Sequence, residues 1–273
     1  MVTCVVSCAL FTSQAVGPAA RTLKVASLMY RPAKWDKDAN KEGLEKAIRE
    51  ARDMGAELIV TPEGALEGYV VNEVIRAEGH VRAELTKRFN ALAEPAEGPY
   101  IRHFRRLCKE LQVYLVLGFL EADGGGTYNT AVLIDPNGAV AGKYRKTHFA
   151  QGYSTGEDKG DNPAGYLRGG EYPVFDVDQW KMGIMICFDR RVPQVAGRLA
   201  ENGATFIVNP SYGMKGDCNR EFISARAAEN TVPIIFVHPE QTVFSDRNGR
   251  ILSDIRPDDD ARIVIIKIES PSL

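Results

Sequence analysis

The sequence predicts an α/β fold, specifically a four-layer α-β-β-α sandwich with an internal pseudo-twofold duplication. Three observations carry this. Met182 to Ile186 is an uninterrupted apolar run, as a strand covered on both faces requires, and it gives way at Cys187 to the charged stretch Asp189-Arg190-Arg191. Runs of this kind alternate along the chain with amphipathic helical patterns. The order of elements in the first half also returns in the second.

Leu23 to Tyr30 reads as the first buried strand, and Trp35 to Met54 as a helix with Leu44, Ala47, Ile48 and Ala51 on one face. Glu57 to Thr61 is a short strand that ends at Pro62-Glu63. A helix from about Pro99 to Leu111 leads into the strand Val113 to Leu120, and its spacing of Ile101, Phe104, Cys108 and Leu111 puts Cys108 in the core. Tyr128 to Ile134 and Ala139 to Gly142 flank the turn Asp135-Pro136-Asn137-Gly138 as a hairpin, which delivers Lys143-Tyr144-Arg145-Lys146.

The second half repeats the series. Lys24 to Tyr30 lies on Lys181 to Cys187 without a gap, and Gly55-Ala56-Glu57-Leu58-Ile59-Val60-Thr61-Pro62 lies on Gly203-Ala204-Thr205-Phe206-Ile207-Val208-Asn209-Pro210. Pro233 to His238 then answers Val113 to Leu120, and Thr242 to Leu252, with Arg247-Asn248-Gly249 at its tip, answers the hairpin. Two such units need both faces of each sheet covered, so the two sheets stack and helices cover their outer faces. Glu63 and Cys187 then fall at the carboxyl ends of neighbouring strands from opposite halves, and a crevice between the halves can hold both.

Composition narrows the function. The 273 residues are 44% hydrophobic, enough for a sizeable core, and 34 Lys plus Arg stand against 36 Asp plus Glu. A net charge of -2 gives no electrostatic case for nucleic acid or an anionic membrane as partner and leaves small-molecule chemistry. Cys4, Cys8, Cys108, Cys187 and Cys218 form no CxxC pair, and no histidine cluster has metal-ligand spacing. Neither a disulfide framework nor a zinc site is expected, and no cofactor is implied.

Residues 1–20 are apolar or small and lack Lys and Arg, so they read as a leader outside the fold, disordered or signal-like, without the basic start of a signal peptide. Val5-Val6-Ser7-Cys8 also has the look of a lipoprotein box. A free reactive thiol is safest in a reducing compartment, so the expected location is cytoplasmic, with a cleaved or lipidated start as the alternative.

A strand-end cysteine alone is more often a small core residue than a nucleophile. The chain adds Glu63 after one strand and Lys146 after a hairpin. With Thr61-Pro62-Glu63, Tyr144-Arg145-Lys146-Thr147-His148 and Gly183-Ile184-Met185-Ile186-Cys187-Phe188-Asp189-Arg190-Arg191 in this order, the sequence resembles the nitrilase superfamily of carbon-nitrogen hydrolases from Leu23 to Ile268. Tyr128-Asn129-Thr130-Ala131 and Arg226-Ala227-Ala228-Glu229-Asn230 add to the resemblance. It makes residues 21–273 the hydrolase domain and implies a homodimer or larger homo-oligomer.

The resemblance implies roles that amide chemistry also demands. Cys187 is the nucleophile, and Glu63 is the base that takes its proton and later activates water. Lys146 supplies an ammonium to the tetrahedral oxyanion, with the backbone N–H of Phe188 as second donor. The expected reaction cleaves a non-peptide carbon–nitrogen bond of a small amide or N-carbamoyl compound through a thioester and releases ammonia or an amine. Glu157 resembles a second glutamate that orients the lysine or the substrate, although a solvated surface role fits it equally. His148 either lines the pocket or holds its loop.

Cys187-Phe188-Asp189-Arg190-Arg191 is closest to the corresponding segment of N-carbamoyl amino acid amidohydrolases, where arginine after the nucleophile holds a substrate carboxylate. A guanidinium fork suits that task because it meets both oxygens at once. The alternative is that Arg190 and Arg191 pair with Asp189, with acidic groups across the sandwich, or at a subunit contact. The rival functions are a nitrilase or acyl-transferring member of the same superfamily, a Cys-His hydrolase using His148 or His238, and a silent binding protein on this fold.

Overall fold

The computed structural model describes residues 21–150, 165–214, 216–256 and 262–269. The first half runs β1 (Thr22–Leu28), α1 (Lys37–Asp53), β2 (Leu58–Val60), α2 (Val71–Arg76), α3 (Gly79–Leu92), α4 (Pro99–Leu111), β3 (Tyr114–Asp123), β4 (Gly126–Ile134) and β5 (Val140–Arg145). After the two-residue β6 (Tyr166–Leu167) come β7 (Val174–Val177), β8 (Trp180–Ile184), a 3-10 turn (Cys187–Arg191), α5 (Pro193–Glu201), β9 (Phe206–Pro210) and α6 (Cys218–Asn230). The chain closes with β10 (Ile234–His238), β11 (Gln241–Ser245), β12 (Ile251–Ile255) and β13 (Ile263–Glu269).

The duplication is present in the hydrogen bonds. One sheet has the order β13-β1-β2-β3-β4-β5, with β6 added beside β4, and the other has the order β12-β11-β10-β9-β8-β7. In each half the first three long-range partners, β1-β2-β3 or β8-β9-β10, are parallel and a meander of two antiparallel strands follows. The repeat extends to single residues. Gly55 (φ 86°) and Gly203 (φ 94°) both take the left-handed turn after the helix, where a side chain would be strained. Glu57 N donates to Lys24 O at 2.9 Å and Thr205 N to Lys181 O at 2.7 Å, at matching points of the two halves.

Helices α1, α4 and α5 form where the sequence supplies a start and a buried stripe. Asp36 accepts a hydrogen bond from Ala39 N and caps α1, whose buried stripe is Asn40, Leu44, Ile48 and Ala51. Pro99 and Pro193 open α4 and α5 at the one turn that needs no N–H. The stripes of α1 and α4 meet Ala26, Leu28, Ile59, Leu115 and Leu117 on the outer face of the first sheet. Those of α5 and α6 meet Met185, Ile207, Ile234 and Phe236 on the second. Between the sheets lie Val25, Val60, Val116, Leu133, Ile184, Val208, Ile235 and Val237, the alternate residues of the same strands. Ser27 and Thr242 share a buried hydroxyl pair of 2.7 Å across this interface.

Two expectations are refined. The ladder of β8 stops at Ile184, so Cys187 opens the 3-10 turn beyond the strand instead of ending it. Glu63 and Cys187 follow β2 and β8, which belong to different sheets, so they are not lateral neighbours within one sheet. The strands β6, β7 and β13 and the helices α2 and α3 have no counterpart in the sequence reading.

Candidate active site

Glu63 stands three residues beyond β2, in a segment clamped to β3. Thr61 N donates to Val116 O (3.0 Å), Gly118 N to Thr61 Oγ1 (2.9 Å) and Leu66 N to Gly118 O (3.2 Å). Gly118 permits this approach, since a Cβ there would come within 3.1 Å of Glu63 Cα and closer still to Pro62 O. The Glu63 carboxylate is buried. Its Oε1 accepts from Lys146 Nζ at 2.6 Å and Asn129 Nδ2 at 2.8 Å, and its Oε2 from Tyr212 N at 3.1 Å.

Lys146 is the first residue after β5 and is fixed at its backbone by Asn129 O, 2.9 Å from its N. Burial alone would depress the ammonium, but the negative charge of Glu63, then those of Cys187 and Asp189, and the hydrogen bond to Glu63 outweigh it, so its pKa ends above the ordinary lysine value. The group is therefore an ammonium at neutral pH and acts as a donor.

Cys187 has φ 48°, a left-handed conformation that costs a residue with a Cβ on the order of 1 kcal/mol and is held by the structure around it. That restraint comes from Asp189. Asp189 N donates to Ile186 O (3.0 Å) and Ile186 N to Asp189 Oδ2 (2.9 Å). The same carboxylate accepts from Tyr144 Oη (2.8 Å), Thr147 Oγ1 (3.1 Å) and His148 N (2.9 Å). Asp189 thus ties the turn carrying Cys187 to the segment carrying Lys146.

Cys187, Lys146 and Asn129 line one cavity of ≈ 130 Å³ with Tyr69, Phe149, Tyr166, Phe188, Arg190, Arg191, Gly213 and Met214. Glu63 is not among the lining residues but accepts from two of them, Lys146 and Asn129. Tyr69 stacks on Tyr212 at 4.5 Å between ring centres, closing one wall. The arginines differ sharply. Arg190 is fully buried, with Nη2 donating to Asn219 Oδ1 at 2.6 Å and Nη1 3.6 Å from Cys187 Sγ. Arg191 is exposed and spans the rings of Phe188 (5.5 Å) and Phe222 (4.8 Å). Neither pairs with Asp189, whose oxygens are taken as described.

His148 is not among the lining residues. Its Nδ1 meets Thr147 Oγ1 at 2.9 Å and stands 3.6 Å from Asp189 Oδ1, so of the two roles expected for it the structure favours holding the loop. His238 has Nε2 on Tyr212 O (2.6 Å) and Nδ1 accepting from Glu240 N (3.0 Å), an arrangement that leaves no ring nitrogen for the thiol. Glu157 lies outside the described residues, as does the leader.

Sequence reasoning passed over two polar residues. Asn129 was visible only inside a motif, yet it is the second donor to Glu63 Oε1. Glu67 gave no signal at all. It is 2% exposed, it accepts from Leu120 N at 3.0 Å, and burial, helped by the charge of Glu63, pushes its carboxyl up to about 7 against the pull of backbone N–H donors and Lys37. Among the described residues no group of three or more His, Cys, Asp or Glu could hold a metal ion, and no helix is long and apolar enough to cross a membrane.

Comparison with known proteins gives the family of the chain. Residues 24–272 match the carbon-nitrogen hydrolase family. A nitrilase of Pyrococcus abyssi is 33% identical over 227 residues, 83% of this chain and 76% of its own. An N-carbamoylputrescine amidase of Arabidopsis thaliana is 28% identical over 79% of this chain and 70% of its own. In fold, the structure superposes on Saccharomyces cerevisiae Nit3, a nitrilase superfamily member, with a TM-score of 0.74 at 20% identity, covering 91% of this chain and 90% of that one. With the family matched along almost its whole length from β1 onward, the chain belongs to the carbon-nitrogen hydrolases.

Proposed function

We propose that this carbon-nitrogen hydrolase is an amidohydrolase for a small amide or N-carbamoyl compound that bears a carboxylate, working through a thioester on Cys187. The observation that carries the reading is the buried Lys146–Glu63 pair of 2.6 Å, whose Lys146 lines the same cavity as Cys187. Cys187 Sγ attacks the carbonyl carbon as its proton passes to Glu63. The carbonyl oxygen becomes an oxyanion beside the Lys146 ammonium and the Phe188 N–H, which is in the first turn of the 3-10 helix, where backbone donors have no partner within the helix. The carbon–nitrogen bond then breaks, the leaving nitrogen takes the proton from Glu63, and ammonia or an amine departs. Water attacks the thioester with Glu63 as base, and the acid leaves with the thiol restored.

Arg190 and Arg191 support the carboxylate. Both line the cavity, and neither is engaged by a carboxylate of the described residues. The kinship with a carbamoyl amine amidase supports the carbamoyl group, and kinship with a nitrilase supports the second reading, a nitrile or uncharged amide as substrate. The test compares N-carbamoyl amino acids with uncharged carbamoyl amines and simple amides, for wild type, Arg190→Ala and Arg191→Ala. Loss of the anchoring arginine raises KM for the charged substrates by roughly ten- to a hundredfold, the worth of one charge-assisted pair. Equal rates on charged and neutral substrates, unchanged in both variants, leave a general amidase.

The unit that performs this reaction is proposed to span residues 21–273 and to assemble as a homodimer or larger homo-oligomer, which light scattering checks. Cytoplasmic residence is proposed because Cys108, Cys187 and Cys218 are all free thiols. Intact-mass analysis from the native host tests it, and a lipid on Cys8 or loss of residues 1–20 would overturn it.

A further inference from the structure

Arg190 is 1% exposed, and no carboxylate pairs with it among the described residues. Its Nη2 bonds a neutral amide oxygen, its guanidinium lies over the Phe236 ring at 5.1 Å, and its Nε has no hydrogen-bond partner. A cation this deep is costly unless a counter-charge meets it. The opening lies on the side of the cavity, which Arg190 lines together with Cys187.

The amide that holds Arg190 belongs to a relay with a fixed direction. Asn219, fully buried at the second position of α6, donates through Nδ2 to Met214 O and to Gln241 Oε1, each at 3.0 Å. Gln241 Nε2 donates to Asp254 Oδ1 at 2.8 Å. Asp254 can only accept and Arg190 can only donate, so each amide between them has one satisfying orientation, oxygen toward Arg190 and nitrogen toward Asp254. The Asp254 charge is met locally by Arg220 at 3.4 Å and Arg256 at 3.8 Å. The relay therefore fixes where the guanidinium sits without cancelling its charge.

We propose that Asn219 is a specificity-determining positioning residue: as a neutral acceptor it holds Arg190 beside Cys187 and leaves the guanidinium charge for a carboxylate of the ligand. This rests on the reading of the substrate as a carboxylate-bearing amide or carbamoyl compound. An aspartate at this position accepts the same hydrogen bond but supplies the counter-charge itself, and the incoming anion then has nothing to neutralise.

Iodoacetate and iodoacetamide test this without knowledge of the substrate. They differ in one charged group, and each alkylates sulfur with loss of iodide. The ratio of their rates at Cys187, followed by peptide mass spectrometry, is measured for wild type, Asn219→Asp, Asn219→Ser and the exchange Asn219→Asp with Asp254→Asn. The exchange keeps the charge count and lets the relay run in reverse, so it serves if Asn219→Asp alone fails to fold. Relative to a small free thiol, wild type favours iodoacetate, and Asn219→Asp and the exchange each lower the ratio about tenfold. Asn219→Ser also takes away both Nδ2 bonds, but it leaves a neutral hydroxyl to accept from Arg190 and adds no charge, so it lowers the ratio less than about threefold. A wild-type ratio equal to that of the free thiol overturns this proposal and the carboxylate reading together. A wild-type preference that survives in Asn219→Asp or the exchange overturns the role of Asn219 alone, as does an equal loss in Asn219→Ser.

Discussion

The Tyr144 hydroxyl donates to Asp189 Oδ2 at 2.8 Å and so joins the strand that delivers Lys146 to the turn that delivers Cys187. Burial, reinforced by the Asp189 charge, raises the phenol well above its ordinary pKa, so it remains a donor throughout the working range. Tyr144→Phe removes one of several donors to Asp189. The expected loss is about 1–2 kcal/mol in urea denaturation, with kcat/KM down about tenfold as the two segments shift. Lost stability with kcat/KM unchanged would reduce the contact to a fold tie.

Cys187→Ala, Glu63→Gln and Lys146→Ala should each lower turnover by roughly a thousandfold or more with circular dichroism unaltered, because groups acting as one unit fail together. Lys146→Arg should fail as well, since a planar fork cannot take the place of a compact ammonium 2.6 Å from Glu63. Near-normal turnover in any one variant removes that residue from the chemistry.

Gly118→Ala adds a single methyl group far in sequence from the nucleophile, yet the new Cβ would stand 3.0 Å from Gly64 N and 3.1 Å from Glu63 Cα. The Glu63 segment must retreat. We expect about 1–3 kcal/mol of destabilisation and a fall in kcat of at least about tenfold, measured by thermal melting and steady-state kinetics. A stable variant with full kcat would show that the base tolerates displacement.

Glu67 gives the stability a distinct pH dependence. Its carboxyl titrates at about 7 in the fold against an ordinary value of 4.5, so between these values the folded state holds a proton that the unfolded chain releases. Its stabilising share is complete below the lower value and is lost as pH rises through the upper one. Glu67→Gln, which has no proton to lose, should gain on wild type by on the order of 3 kcal/mol between about pH 5 and about pH 8 in denaturant melts. A difference that is flat with pH would falsify the raised carboxyl.

The sequence by itself determined the layers and singled out the residues proposed to carry the chemistry. Period-two and helical patterns, glycine stops such as Gly55 and Gly203, and the echo of one half in the other are local signals, and local signals survive in a linear chain. They place Glu63, Lys146 and Cys187 at the ends of elements that point to one crevice. Only the tertiary structure decided what each meets. Glu63 and Lys146 are 83 residues apart, and their 2.6 Å contact exists because β2 and β5 share a sheet. The pKa of Glu67 is set by burial, and nothing in its neighbouring sequence distinguishes it from a surface glutamate. Arg190 and Arg191, adjacent in sequence, part because the 3-10 turn sends one inward to Asn219 and the other outward across Phe222. Partners, burial and the charge left unanswered are properties of three-dimensional proximity, and no run of neighbouring residues encodes them.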